Sequence, residues 1–405
     1  MKILIAHRYF WPENISLFPR MLKDIAEWHR SNGDDVTILT SSTSSDSERY
    51  DWSRKNEINI HEISLKSDRG RNFLFRISTI LRYTYRLIRT LIFEKYDVVI
   101  TTSYPPVLST TIVRLLKPLR GYQYVYYLQD IFPELLLEQR GLKKLLGEIL
   151  KRIDRENVNQ SIAVITLSAA MKQTLERRGC NQGNIFIIQN YTIEQPHAVK
   201  QKPLPERPSL IFAGNMGSLQ NIKHCLLASQ LAFTTVSHDF ILVGDGNEQQ
   251  KLKQFVKDND LSHVQFHNKV SRDAALDLMT KANVGVVAAK PGLFEIAYPS
   301  KLLSYLFAGI PALVFTDSND EIAAELHQFR LGVTASPADP QEAANSIVRI
   351  LKDIQESRYS SELIQKNGIQ LFSKDRYFSS YHVIANKVKQ SLTVPNELHE
   401  RSDCV

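Results

Sequence analysis

A lysine set just after a proline, at the start of a short apolar run, is the pattern in this chain best suited to holding an anion. The run is Glu295-Ile296-Ala297-Tyr298-Pro299-Ser300-Lys301-Leu302-Leu303-Ser304, continuing to Gly309-Ile310-Pro311. Pro299 suits the first turn of a helix, and glycine followed by proline ends one. Lys301 then lies in the first turn, where its charge opposes the helix dipole. A snorkelling side chain accounts for that placement. An anion shared between the ammonium and the helix amides accounts for it better. Two glycine turns add to this. Leu210–Ala213 reads as a strand and enters Gly214-Asn215-Met216-Gly217, followed by a helix start. Such glycines either let the backbone approach a phosphate or simply make a tight turn. Phe240–Val243 enters Gly244-Asp245-Gly246-Asn247-Glu248-Gln249, which begins like a dinucleotide fingerprint but carries glutamine in place of its third glycine. No glycine fingerprint follows the first strand, where His7-Arg8-Tyr9-Phe10-Trp11-Pro12-Glu13-Asn14 stands.

These residues need elements to position them. Continuous apolar runs at Lys2–Ala6, Val36–Thr40, Val98–Thr101, Tyr124–Leu128, Ala163–Leu167 and Ile185–Ile188 predict strands buried on both faces of a parallel sheet. Amphipathic stretches such as Leu17–Ser31 and Phe73–Phe93 lie between them, so the first half is a doubly wound α/β domain. Residues 193–208 are polar and hold four prolines, the best linker in the chain. The rhythm resumes at Leu210–Ala213, Phe240–Val243, Val264–His267, Val284–Val287 and Ala312–Phe315. The expectation is a first domain over 1–195 and a second over 205–372. A helix at 375–391 is placed as returning to the first domain, and 394–405 as a polar tail.

Composition is that of a globular protein, 43% apolar and 23% charged over 405 residues, enough for two cores. Cys180, Cys225 and Cys404 are unclustered, which argues against a disulfide framework or a zinc site. No charged segment, apolar core and cleavage site stand at the start, so no signal peptide is expected. The net charge of +7 is uneven: residues 1–200 carry 29 basic against 21 acidic residues, the remainder 21 against 22. An anionic partner for the first domain follows. Along a helix through 71–93, Arg71, Arg82, Arg86 and Arg89 share a sector. That fits either a basic helix on an anionic lipid surface or a solvated face of a packed helix. So many arginines exclude a membrane span, and the absence of a recognised module argues against nucleic acid.

Taken in order, the Gly214-Asn215-x-Gly217 turn, the Val243-Gly244-Asp245-Gly246 turn and the Pro299-Ser300-Lys301 helix ending at Gly309-Ile310-Pro311 resemble glycosyltransferase family 4, with the GT-B fold of two Rossmann-like domains facing across a cleft. Tyr9-Phe10-Trp11-Pro12-Glu13, Tyr104-Pro105-Pro106, Asp130-Ile131-Phe132-Pro133-Glu134 and Gln189-Asn190 resemble its bacterial surface-polysaccharide branch, related to N-acetylfucosamine transferases. The chain departs from the family pattern at three places. Ser304 and Ile296 stand where the wider family carries a Glu-x7-Glu pair, with Glu295 one residue out of register. Asn215 replaces a basic residue, and Asn14-Ile15-Ser16-Leu17 replaces a glycine-rich loop.

The resemblance implies a retaining transfer from a nucleotide-diphosphate sugar, with UDP the expected carrier, and without a bound metal. The acceptor implied is a polyprenyl-diphosphate-linked saccharide at the cytoplasmic face of the inner membrane. Lys301, aided by amides near Gly217, is expected to stabilise the leaving diphosphate, with Lys290 a second cation or a solvated loop lysine. Gly214, Asn215, Gly217, Gly244, Asp245, Pro299, Ser300 and Ser304 complete the donor set. Asp130 and Glu134 are expected to orient hydroxyls, though Asp130 also suits a helix cap. His7 is as easily a core residue as a contact. An epimerase acting on UDP-N-acetylglucosamine, or a non-catalytic nucleotide-sugar binder, would share the fold.

Overall fold

The computed structural model describes residues 1–12, 17–43, 47–65, 73–137, 141–192, 205–317 and 321–393. The chain forms two compact units, Met1–Gln189 joined by the chain from Tyr377 on, and Asn190–Arg376.

The first unit alternates β1 (Lys2–Ala6), α1 (Leu17–Ser31), β2 (Asp35–Ser42), α2 (Ser47–Asn56), β3 (Asn59–Ser64), α3 (Phe73–Phe93), β4 (Val98–Thr102), α4 (Leu108–Arg120), β5 (Gln123–Tyr127), α5 (Phe132–Leu137), α6 (Leu142–Asn159), β6 (Ala163–Thr166), α7 (Ala169–Arg177) and β7 (Ile185–Ile187). Its sheet is parallel with order β3-β2-β1-β4-β5-β6-β7. β1 and β4–β6 are the apolar runs seen in the sequence, almost wholly buried because helices cover both faces. Tyr83, Leu87 and Leu91 of α3 and Val113 of α4 pack over Leu4, Val99 and Tyr124 on one face.

The second unit runs β8 (Ser209–Ala213), α8 (Ile222–Phe233), β9 (Asp239–Val243), α9 (Gln249–Asp258), β10 (Val264–His267), α10 (Arg272–Lys281), β11 (Val284–Val287), α11 (Ser300–Phe307), β12 (Ala312–Phe315), α12 (Glu321–Gln328), β13 (Gly332–Ala335), α13 (Pro340–Gln355) and α14 (Ser361–Leu371). Its parallel sheet has order β10-β9-β8-β11-β12-β13. Both units are therefore doubly wound.

The last helix, α15 (Lys374–Thr393), meets α1 within the first unit. Trp28 stacks on Phe378, and His29, hydrogen-bonded to Asp34 at 2.8 Å, contacts the Tyr381 hydroxyl at 2.9 Å.

Two strands escape the search for apolar runs. β3 (Asn-Ile-His-Glu-Ile-Ser) and β13 (Gly-Val-Thr-Ala) are sheet edges, covered on fewer sides, and need no continuous apolar composition. Arg71, most of the proline-rich linker and the 394–405 tail lie outside the described residues.

Candidate active site

In an open parallel sheet, ligands bind beyond the carboxyl ends of the strands where the strand order reverses. In the second unit that point lies between β8 and β11, and the loops after these strands carry Gly214–Gly217 and Lys290. Lys301, far along the chain, reaches the same place. Its stem lies so close to Gly214, where φ is +145°, that a Cβ there would collide with the lysine Cε. The backbone angle favours glycine, and a side chain there would also have to displace the end of Lys301.

The Lys301 ammonium sits 5.3 Å from the centre of the Phe212 ring. The side chain is half-buried, and desolvation pulls its pKa below the usual lysine value. No carboxylate pairs with it among the described residues. Lys301 is the second residue of α11, and the preceding Pro299 offers no side-chain cap. A desolvated cation thus sits beside the uncapped amides of a helix start, an arrangement completed by an anion.

The loops are fixed to one another by their backbones. Gly214 N–H donates to the Val243 carbonyl at 2.9 Å, Met216 N–H to Asp245 at 2.6 Å and Glu248 N–H to Met216 at 3.0 Å. A side chain at Gly244 would strike the Gly214 carbonyl, so the Gly244-Asp245-Gly246 turn supports the Gly214 turn. Gly217 N–H is taken by the Gln220 side chain at 3.1 Å, within its own turn. Lys290 N–H ties its loop to the Leu219 carbonyl at 3.0 Å. Its side chain is half-buried and forms no ion pair among the described residues. Asn215 and Ser300 are exposed, and Asp245 is exposed 3.7 Å from Lys269. Ser304, half-buried, lies one turn beyond Lys301 on the same helix face.

Beside Ser304 stands Tyr305, which sequence reasoning did not single out. Its buried hydroxyl accepts from Ala213 N–H at 3.0 Å and donates to the Val286 carbonyl at 3.2 Å. It therefore clamps β8 to β11 where their order reverses, and its ring occupies the space that Gly285 leaves open. Nothing local in the sequence marks it, because its partners Ala213, Val286 and Gly285 are distant along the chain.

In the first unit the order reverses between β1 and β4. His7, just past β1, is a buried residue: its Nδ1 meets the Thr102 hydroxyl at 2.6 Å, and desolvation lowers its pKa to about 3. Arg8 is also buried and donates to the Tyr104 hydroxyl at 3.2 Å, while Tyr9 and Tyr104 pair their hydroxyls at 3.2 Å. Both tyrosines are half-buried at the strand ends, and sequence reasoning gave neither a role.

Asp130 follows β5. The residue is exposed, and partial desolvation of its carboxyl raises its pKa to about 6. Glu134, on the helix that follows, is gripped by both arms of Arg178, which also donates to buried Asp154 at 2.7 Å. Tyr126 donates to Asp154 at 3.0 Å. The Glu134 carboxylate anchors α5 through this network. On α3, Arg82 and Arg89 are exposed and Arg86 is half-buried; the Arg89 guanidinium lies 5.9 Å from the Phe93 ring.

Comparison with known proteins accords with this geometry. Residues 19–191 match the family described as Glycosyltransferase Family 4, and residues 207–353 the one described as Glycosyl transferases group 1. The chain is 22% identical over 310 residues to "Probable glycosyltransferase WbjE" of Pseudomonas aeruginosa, covering 72% of this chain and 76% of that one. The structure of Anabaena Alr3699/HepE in complex with UDP and glucose is similar with a TM-score of 0.66 and 16% identity, over 96% of this chain and 100% of that chain. Sucrose-phosphate synthase from Thermosynechococcus elongatus gives 0.72 and 14%, over 96% and 99%. Two doubly wound units of this kind are the GT-B architecture. The chain belongs to glycosyltransferase family 4, and its activity is sugar transfer.

Proposed function

We propose that the chain is a retaining transferase that moves a sugar from a UDP-sugar to a lipid-linked saccharide during assembly of a surface polysaccharide. The observation that carries this is the Lys301 ammonium, desolvated and without a carboxylate, beside the uncapped start of α11 and against Gly214. A nucleoside diphosphate gains negative charge as the glycosidic bond breaks, and a preorganised cation with helix amides stabilises that charge most where it develops. Support for UDP comes from HepE, whose structure holds UDP and glucose. Support for polysaccharide assembly comes from a fold shared with the lipopolysaccharide outer core galactosyltransferase WaaB, with a TM-score of 0.64 and 14% identity, over 95% of this chain and 99% of that chain.

In the retaining scheme the acceptor oxygen attacks the face from which the diphosphate leaves. The leaving phosphate oxygen takes the acceptor proton, so no protein nucleophile is required. Lys290 is a second cation for the donor, and Ser304 offers a hydroxyl to it. Asp130 orients a hydroxyl of donor or acceptor. Transfer proceeds without a bound metal and takes place at the inner face of the membrane, where a polyprenyl-diphosphate acceptor resides.

The test is incubation of the protein with a panel of UDP-sugars and a polyprenyl-diphosphate disaccharide, reading product stereochemistry by NMR. Transfer with the donor's anomeric configuration, unaffected by EDTA, is expected. Inverted product, activity lost in EDTA and restored by Mn²⁺, or epimerised UDP-sugar formed without acceptor would each overturn the corresponding part.

A further inference from the structure

The N-terminal half of α6 turns its apolar face outward. Leu142, Leu145, Leu146 and Ile149 are 83%, 58%, 48% and 48% exposed. They recur at i, i+3, i+4 and i+7 and so form one stripe about 100° wide on a helix. Gly147, Asp154, Asn157 and Val158 are the buried residues on the other side. A packed amphipathic helix turns such a stripe inward. Single exposed leucines are ordinary, whereas a contiguous apolar stripe marks a contact surface. Arg114 of α4 donates to Asn157 at 2.9 Å, and Lys117 Nζ to the Gln160 carbonyl at 3.0 Å, so α4 packs against the other half of α6. Leu115 and Leu119 on α4 are exposed as well.

We propose that this face of α6 inserts into the boundary between headgroups and acyl chains of a bilayer that contains anionic lipid. Charge selects this occupant. Arg152 is exposed at the edge of the stripe, exposed Lys144 and half-buried Lys151 lie farther round the same turns, and Glu148 is the one acid among residues 142–152. α3, which packs beside α4, adds exposed Arg82 and Arg89 among exposed Leu81, Tyr85 and Phe93. Apolar ridges flanked by cations match a lipid surface, whose tails take the leucines and whose headgroups take the charge. A second copy of the chain would bring like charges together. No described helix is long and apolar enough to cross a membrane, so the contact is interfacial. The attachment therefore has an apolar part in addition to the electrostatic one read from the α3 arginines. It deepens the proposed action on a lipid-linked acceptor by naming the surface from which the first unit meets that lipid.

The experiment uses the full chain and sedimentation with phosphatidylcholine vesicles, with and without phosphatidylglycerol, across a salt series. Wild type should bind the anionic vesicles, and a fraction of that binding should persist at high salt, because screening weakens charge but not apolar burial. Leu145→Ser/Ile149→Ser should reduce partitioning by about tenfold or more, and its remaining binding should vanish at high salt. Arg82→Glu/Arg89→Glu should lose the salt-sensitive part instead. Both variants should keep the wild-type melting temperature and UDP affinity, which separates failure of this face from failure of the transferase reading. Equal vesicle binding by wild type and the Leu145→Ser/Ile149→Ser variant would overturn the proposal. So would no binding by wild type, or a wild-type dimer that the same variant disperses, which would assign the face to a second copy.

Discussion

Replacing Lys301 with methionine should make the unliganded protein more stable and the UDP complex weaker. Methionine keeps the length of the side chain against Gly214 and the apolar contact with Phe212, and removes only the charge. The ammonium is desolvated and has no carboxylate among the described residues, so it costs folding energy in the absence of ligand. Loss of the cation–π attraction to the Phe212 ring offsets part of the gain, about 0.5–1 kcal/mol. A net gain on the order of 1 kcal/mol corresponds to about 2–4 °C in Tm for a domain of this size. A hydrogen bond from a charged group contributes about 1.5–3 kcal/mol, so UDP affinity should fall about 10- to 150-fold. Thermal unfolding with and without UDP reads both effects, because ligand bound to the folded state stabilises it by RT ln(1 + [L]/Kd). Isothermal titration supplies Kd directly. A less stable variant that binds UDP as well as wild type does would refute the reasoning and leave Lys301 a structural residue.

Arg178→Met leaves Glu134 and Asp154 facing each other without their shared cation. Denaturant unfolding should show a loss of about 3–5 kcal/mol at pH 7, shrinking at lower pH as Asp154, whose pKa desolvation raises, takes a proton; a pH-independent loss would count against the network. His263 is buried, and burial lowers its pKa to about 4. Because that lies below the unfolded value near 6.5, its contribution is present above pH 6.5 and lost as pH falls toward 4, by up to about 3 kcal/mol. His263→Gln should flatten this slope, and an unchanged slope would contradict it. Asp130, raised by burial to about 6, is ionised only above that pH, so a rising limb of activity near pH 6 is expected and should disappear in Asp130→Asn.

The sequence by itself determined what depends on local order. Lys2–Ala6, Val264–His267, Val284–Val287 and Ala312–Phe315 are strands with the bounds their apolar runs predict, and α1 and α3 match their amphipathic stretches residue for residue. Buried strands must be apolar throughout, and helices must show one apolar stripe, so both leave a local record. The proline and glycine punctuation around α11 likewise placed Lys301 in its first turn. Edge strands β3 and β13 left no such record, because partial burial permits an apolar run, as in edge strand β10, without requiring one. Only the tertiary structure decided what depends on residues distant in sequence. It brought the stem of Lys301 against Gly214, put the Tyr305 hydroxyl between Ala213 and Val286, and gave Glu134 to Arg178. Periodicity identifies the apolar stripe of α6 as readily as that of α1, but it is silent on direction. The stripe of α1 faces the core and that of α6 faces solvent, because which side of a helix is covered is set by its neighbours and not by its own residues.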